Sequence, residues 1–300
     1  MRWIAGHASA TMNVMRVGYY QFRPRFGRPA ENTSRIVGAL RAVRADLIVL
    51  PELALSGYYF ASREEAFSLS EVPSRSRNVA SLIDLCRDRK MHLVAGVAER
   101  SRDRLFNSSL LLGPRGVVSV YRKVHLFDNE KRWFDPGDRP PGVVRAGGAA
   151  VGMMICFDWL FPEVARSLAL QGAEILAHPS NLVLRHCQGA MPARCLENGV
   201  FAITCNRSGA DRRPHGTIAF TGRSQITGPR GEVLHRAPAR GEALHVQRID
   251  LARARDKRIT PGNDLLGDRR PAFYMELTRS ARAGSGLRTS RRIRSGRRGR

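Results

Sequence analysis

Eight runs of strand length, rich in apolar and β-branched residues, recur along this chain, and segments with helical apolar spacing separate most of them. The runs are 14–21, 46–51, 92–98, 117–121, 150–156, 174–178, 200–206 and 243–250. Ile36, Leu40 and Val43 share a helix face, as do Val79, Leu82, Ile83 and Leu85, and later Val164 and Leu168. A further helical reading falls on the segment from Cys195 to Val200. Alternation of the two periods restricts the chain to an α/β fold with substantial sheet. Closely spaced strands around Gly222, Gly228 and Gly231 read as hairpins. With 300 residues, 43 % apolar content and no compositional break before Arg279, one large domain is expected.

Composition excludes several classes of protein. No apolar run reaches the roughly 18 residues of a membrane helix. The opening residues lack the apolar core and cleavage site of a secretory signal. Cys86, Cys156, Cys187, Cys195 and Cys205 are odd in number and scattered, which points to free thiols in a reducing compartment and so to the cytoplasm. His178, His186, Cys187 and Cys195 carry soft ligand atoms, but their spacing matches no usual zinc pattern. The formal net charge of +24 rests on 46 Arg and only 4 Lys, a skew that base composition explains as well as any partner does. Residues 279–300 hold nine Arg and no acid, too little apolar surface to order themselves. Contact of this tail with nucleic acid would be nonspecific counterion release. The expected organisation is an unstructured extension over 1–14, a folded domain over 15–278 and an Arg-rich disordered tail over 279–300.

Three of the apolar runs end on a reactive side chain. Leu47-Ile-Val-Leu-Pro-Glu52 delivers a carboxylate, Val117-Val-Ser-Val-Tyr-Arg-Lys123 an amine and Val151-Gly-Met-Met-Ile-Cys156 a thiol. In open α/β sheets, ligands sit beyond the carboxyl ends of the strands. Singly, each residue could be a solvated strand end or, for Cys156, a small buried hydrophobe. Together they supply the base, cation and nucleophile that acyl transfer requires. Pro162 and Glu163 suit the first turn of a helix, which places Cys156 on a sharp strand-to-helix turn. The partial positive charge at such a helix start is expected to favour the thiolate. The main-chain N–H of Phe157 is placed to face an oxyanion.

Three ordered segments are similar to the signature motifs of the nitrilase superfamily. They are Pro51-Glu52-Leu-x-x-x-Gly57-Tyr58, Tyr121-Arg-Lys123-Val-His125-Leu-Phe127 and Cys156-Phe-Asp158-x-x-Phe-Pro162-Glu163. Glu130, followed by Phe134-x-Pro-Gly137, resembles the additional glutamate that this family places after its lysine. His178-Pro-Ser-Asn181 and Cys195-Leu-Glu-Asn198 also look like family sequence, and the whole is most similar to small archaeal-type nitrilase-like hydrolases. The resemblance implies a four-layer αββα sandwich that pairs into a homodimer or higher homo-oligomer, with no metal or organic cofactor. It implies Cys156 as nucleophile, Glu52 as general base, Lys123 and the Phe157 N–H as oxyanion hole, and Glu130 as the group that holds the lysine or the substrate. Tyr58, Trp159 and Asn181, in or beside the motifs, are the expected substrate contacts. The implied activity is release of ammonia from a small aliphatic amide or nitrile through a thioester. Hydrolysis of an N-carbamoyl amide, of the carbamoylputrescine or ureidopropionate type, is the alternative within the family. Binding of RNA or a protein partner through the Arg-rich tail is the alternative of another class.

Overall fold

The structure is a computed structural model that describes residues 14–279. The extension and tail expected at the chain ends therefore lie, but for residues 14 and 279, outside the described residues. The first half of the chain runs through β1 (Val14–Gln21), α1 (Pro29–Leu40), β2 (Leu47–Val49), α2 (Arg63–Ser68) and α3 (Arg77–Arg89). The antiparallel strands β3 (His92–Ser101), β4 (Arg104–Gly113) and β5 (Gly116–Arg122) come next, then the single turn α4 (Glu130–Trp133). The second half contains β6 (Val143–Ala146), β7 (Ala149–Met153), α5 (Pro162–Leu170), β8 (Ile175–Ser180), α6 (Cys187–Leu196) and β9 (Phe201–Asn206). A hairpin of β10 (Ala210–Arg213) and β11 (Gly216–Ala219) precedes β12 (Gln225–Thr227), β13 (Val233–Arg236) and β14 (Ala243–Asp250).

Two six-stranded sheets result, in the orders β14-β1-β2-β3-β4-β5 and β13-β12-β9-β8-β7-β6. Each has a parallel trio at its centre, β1-β2-β3 in one and β7-β8-β9 in the other, flanked by antiparallel strands. Successive side chains of a strand point to opposite faces, and the core divides accordingly. Tyr20, Ile48, Leu50, Leu93, Ala95, Leu110 and Leu112 pack with Ile36, Leu40, Val79, Leu82 and Leu85 of α1 and α3. Their alternates Val17, Tyr19, Leu47, Val49, Val94 and Leu111 join Val151, Met153 and Ile175 between the sheets. Val164 and Leu168 of α5 and Met191 and Cys195 of α6 pack onto the second sheet. The architecture is the expected αββα sandwich.

All eight apolar runs contain strands, but the sequence reading missed β4, β6 and the β10–β11 hairpin and misplaced one helix. β4 carries Asn107-Ser108-Ser109 in its middle, a polar interruption that hides the strand yet is fully buried. The helix read at 195–200 is α6, which starts at Cys187 and ends at Leu196. Pro192 inside it obscures the period, because proline removes one helical hydrogen bond. The Gln188 carbonyl four residues earlier is taken up instead by Gln225 Nε2 at 3.2 Å and Arg236 Nη2 at 3.5 Å.

One glycine lets β3 press against the turn after β2. The approach is so close that a Cβ on Gly96 would lie 2.5 Å from Glu52 Cα and from Leu53 N. We expect Gly96→Ala to cost about 1–3 kcal/mol through overpacking and to lower turnover by displacing Glu52. Gly38, within α1 and with open space around its Cβ position, is the control. Gly38→Ala should stabilise by roughly 0.5–1 kcal/mol, so the two variants should shift the melting temperature in opposite directions.

Candidate active site

Glu52, Lys123 and Cys156 lie just past the carboxyl ends of β2, β5 and β7. The Lys123 N–H donates to the Asn107 carbonyl at 2.9 Å, prolonging the β4–β5 pairing, and its own carbonyl accepts from Gly137 N at 2.8 Å. A side chain at Gly137 would meet the Arg122 carbonyl at 2.2 Å, which explains a glycine there. The Lys123 ammonium is fully buried. It lies 2.7 Å from Glu52 Oε1 and 2.8 Å from both oxygens of Glu130. Asn107 Nδ2 donates to Glu52 Oε1 at 2.7 Å, while Glu130 also accepts from the Tyr58 hydroxyl at 2.8 Å and from Phe127 N at 3.2 Å.

One ammonium serves two buried carboxylates, and the charges respond accordingly. Desolvation pulls the Lys123 pKa down, but Glu130 and Glu52 outweigh it and hold the amine charged above its ordinary value. Desolvation raises the Glu130 carboxyl, Lys123 opposes this, and the like charge of Glu52 adds to the rise. The group ends above the usual carboxylate range.

Cys156 occupies the expected sharp turn, with a left-handed φ of +43° that a non-glycine residue rarely adopts. It opens a five-residue 3-10 turn, Cys156–Leu160, and α5 begins only at Pro162. The expectation that a helix start favours the thiolate is corrected here. The residue is 6 % exposed, and burial followed by the Glu52 charge pushes the thiol well above its ordinary value. Lys123 and the Asn181 main-chain N–H pull the other way and are outweighed. The resting sulfur keeps its proton.

Several residues that sequence reasoning did not place in the site hold this geometry. Asp158 accepts from Ile155 N at 2.9 Å and from the Tyr121 hydroxyl at 2.7 Å, and contacts His125 Nδ1 at 2.8 Å. It thereby ties the cysteine turn to the lysine segment. His125 stacks on Phe161 with ring centroids 3.6 Å apart. His178, a soft-ligand candidate in the sequence, is buried with Nε2 3.0 Å from the Cys156 carbonyl and Nδ1 3.1 Å from Thr204 Oγ1. Cys187, Cys195 and Cys205 are buried away from the site, with Cys205 Sγ donating to the Tyr20 carbonyl. The polar interruption at Asn107 was the one sequence signal that could have added a residue.

The expected substrate contacts fall differently. Asn181 touches both halves of the site, with Nδ2 donating to the Glu52 carbonyl at 2.8 Å and its N–H at the sulfur. Tyr58 is buried edge-on to Trp133 and Phe220, with its hydroxyl engaged by Glu130. Trp159 is buried in the main core cluster. The Phe157 ring packs edge-on to Phe127 and Phe161.

An αββα sandwich with a buried Glu-Lys-Glu cluster at a strained cysteine turn is an arrangement suited to the hydrolysis of carbon–nitrogen bonds. Comparison with known proteins agrees. The carbon-nitrogen hydrolase family model matches residues 16–259. A nitrilase from Pyrococcus abyssi is 42 % identical over 87 % of this chain and 99 % of its own, and an (R)-stereoselective amidase from a Pseudomonas species is 36 % identical over 88 % and 94 %. The crystal structure of a carbon–nitrogen hydrolase from Helicobacter pylori superposes with a TM-score of 0.80 at 27 % identity, covering 90 % of this chain and 99 % of that one. A glutamate-to-glutamine mutant of an amidase from Nesterenkonia, TM-score 0.72 at 27 % identity over 91 % and 99 %, shows covalent addition of the acetamide moiety of fluoroacetamide at its active-site cysteine. The chain belongs to the carbon–nitrogen hydrolase family of the nitrilase superfamily.

The neutral His178 that braces Cys156 makes stability pH-dependent. Burial lowers its pKa from 6.5 to about 4. The unfolded state therefore binds a proton that the folded state refuses between these values, so stability is full above 6.5 and falls with pH through this window. The loss should reach roughly 2 kcal/mol by pH 5. His178→Gln should flatten this part of the profile, measured as denaturant midpoints at pH 7 and pH 5.

Proposed function

We propose that the protein hydrolyses small aliphatic amides or nitriles with release of ammonia, with Cys156 as nucleophile. The observation that carries this reading is the fully buried Lys123 ammonium shared by Glu52 and Glu130 beside a thiol held in a left-handed turn. Glu52 Oε2 has no protein hydrogen-bond partner. It takes the thiol proton as sulfur attacks the substrate carbon. On an amide, the carbonyl π electrons move to oxygen, where the Phe157 N–H and Lys123 stabilise the charge. An ammonium has three donors. One to Glu52 and one shared by the Glu130 oxygens leave one for the oxyanion. Glu52 then returns the proton to nitrogen, the C–N bond breaks and ammonia leaves a thioester. Glu52 next deprotonates water, which attacks the thioester, and the sulfur departs with the proton restored. On a nitrile, the same attack places charge on nitrogen, which takes the Glu52 proton to give a thioimidate that water must reach first.

Removal of the nucleophile should abolish ammonia release, so Cys156→Ala is expected to fold, bind substrate and show no turnover. Glu52→Gln keeps the shape and the contacts to Lys123 and Asn107 while losing the base. It should lower turnover by about 10²–10⁴-fold. Wild-type ammonia release by either variant would overturn the assignment, with circular dichroism confirming that each is folded.

We further infer that the chain self-associates. Leu170 of α5 and the segment after Arg270 leave large apolar side chains open to solvent, Phe273 at 66 %, Met275 at 53 % and Leu277 at 64 %. Contiguous exposed apolar surface of this kind marks an association face. Sedimentation velocity should return a dimer or larger species, and Leu277→Glu together with Phe273→Glu should shift it toward monomer.

A further inference from the structure

We propose that this site selects substrates carrying a carbonyl-bound NH₂ group over the corresponding nitriles, through the side-chain oxygens of Asn107 and Asn181. The proposal rests on the hydrolase reading above and names the substrate class within it. Among the described residues, four buried side-chain oxygens lack a hydrogen-bond partner: Glu52 Oε2, Asn107 Oδ1, Asn181 Oδ1 and Asn198 Oδ1. The first three belong to one cluster, in which Glu52 touches both asparagines and Asn181 also reaches the thiol. Asn107 donates through Nδ2 to Glu52 Oε1 at 2.7 Å and reaches Glu130 Oε2 at 3.5 Å. Asn181 donates through Nδ2 to the Glu52 main-chain carbonyl at 2.8 Å, while its own N–H faces the sulfur.

These contacts fix the orientation of both amides. Reversing either one would set oxygen against a carboxylate or carbonyl oxygen, so in each case the unpaired atom is the acceptor. The site therefore offers a surplus of buried acceptors beside the reacting centre. A carboxamide or a carbamoyl group brings two N–H donors on its leaving nitrogen and can satisfy two of them. A nitrile brings none; its nitrogen only accepts, and its binding would seal the acceptors away from water unpaired. Sites built to hydrogen-bond an N–H or O–H reject analogues that lack it by factors up to about 10⁴–10⁵.

The test is the ratio of kcat/KM for propionamide to that for propionitrile, read as ammonia release by the wild type, Asn181→Leu and Asn181→Ser. We expect the amide to be favoured by at least about 100-fold. The variants should narrow this ratio at least about tenfold by lowering the amide value, whereas a merely structural defect would lower both values together. Two variants are used so that one that fails to fold leaves the other. Equal turnover of the two substrates, or an unchanged ratio in a folded variant, overturns the proposal, while loss of activity in Cys156→Ala still upholds the hydrolase reading. Should the wild type turn over neither compound, the hydrolase reading fails for small aliphatic substrates. The selection is then read from the melting temperature of Cys156→Ala. Greater protection by propionamide than by propionitrile at equal concentration supports it, and equal protection overturns it.

Discussion

A lysine ammonium withdrawn entirely from water between two carboxylates is the interaction on which the rest of this structure depends. Burying one charge is expensive, and burying three is tolerable only when each is paired and hydrogen-bonded. Lys123, Glu52 and Glu130 meet that condition with help from Asn107, Tyr58 and Phe127 N. The cluster therefore sets where the segments after β2 and β5 and the turn α4 can lie. Loss of the lysine would leave two carboxylates buried without a counter-charge, a defect worth about 3–5 kcal/mol. The fold thus retains a poor stability device at its centre, which is understandable if the ions are needed for chemistry.

The cysteine is held by different means. Its left-handed backbone is strained for a non-glycine residue, and the surroundings over-determine it. Asp158 grips the turn from the Tyr121 side, and His178 grips the Cys156 carbonyl from β8. Neither residue is positioned to act on a substrate through these contacts. Both are fixed so that sulfur stays in one place while its protonation state changes. In the proposed mechanism, the raised thiol pKa and the unpaired Glu52 oxygen form a matched pair: the proton rests on sulfur until a substrate is present to receive the electrons.

Much of this was legible in the sequence, for a physical reason. Glu52, Lys123 and Cys156 each terminate an apolar run, so strand periodicity alone placed them at strand ends and the α/β rule placed strand ends together. The parallel trios came through because their strands are buried on both faces and read as uninterrupted apolar runs. β4 did not, since its buried face carries the polar Asn107 and Ser109. Those residues break the apolar run because they serve the site and the gap between the sheets. Helix α6 was displaced by Pro192, whose vacated carbonyl partner is supplied from distant Gln225 and Arg236. The pKa of Cys156 was misjudged because a helix start is visible in sequence, whereas the depth of burial and the distance to Glu52 are not.

The site also ties catalysis to the assembly of the sandwich. The carboxylates and lysine come from the first sheet and its loops, while Cys156 and Asn181 lie just beyond β7 and β8 of the second. Polar contacts that cross between them include Asn181 Nδ2 to the Glu52 carbonyl, Tyr121 and His125 to Asp158, Ser109 to the Met153 sulfur and Cys205 to the Tyr20 carbonyl. The distance between Glu52 and Cys156 therefore depends on how the two sheets register, and apolar packing of Val17, Tyr19, Leu47, Val49 and Leu111 against Val151, Met153 and Ile175 contributes to that register. Close-packed interiors transmit changes of a single methylene to their neighbours. In the proposed mechanism, proton transfer from sulfur to Glu52 depends on that distance. Core residues with no reactive atom thus bear on the site through position alone, and in the proposed mechanism the inter-sheet core belongs to the apparatus as much as the Glu-Lys-Glu cluster at its edge.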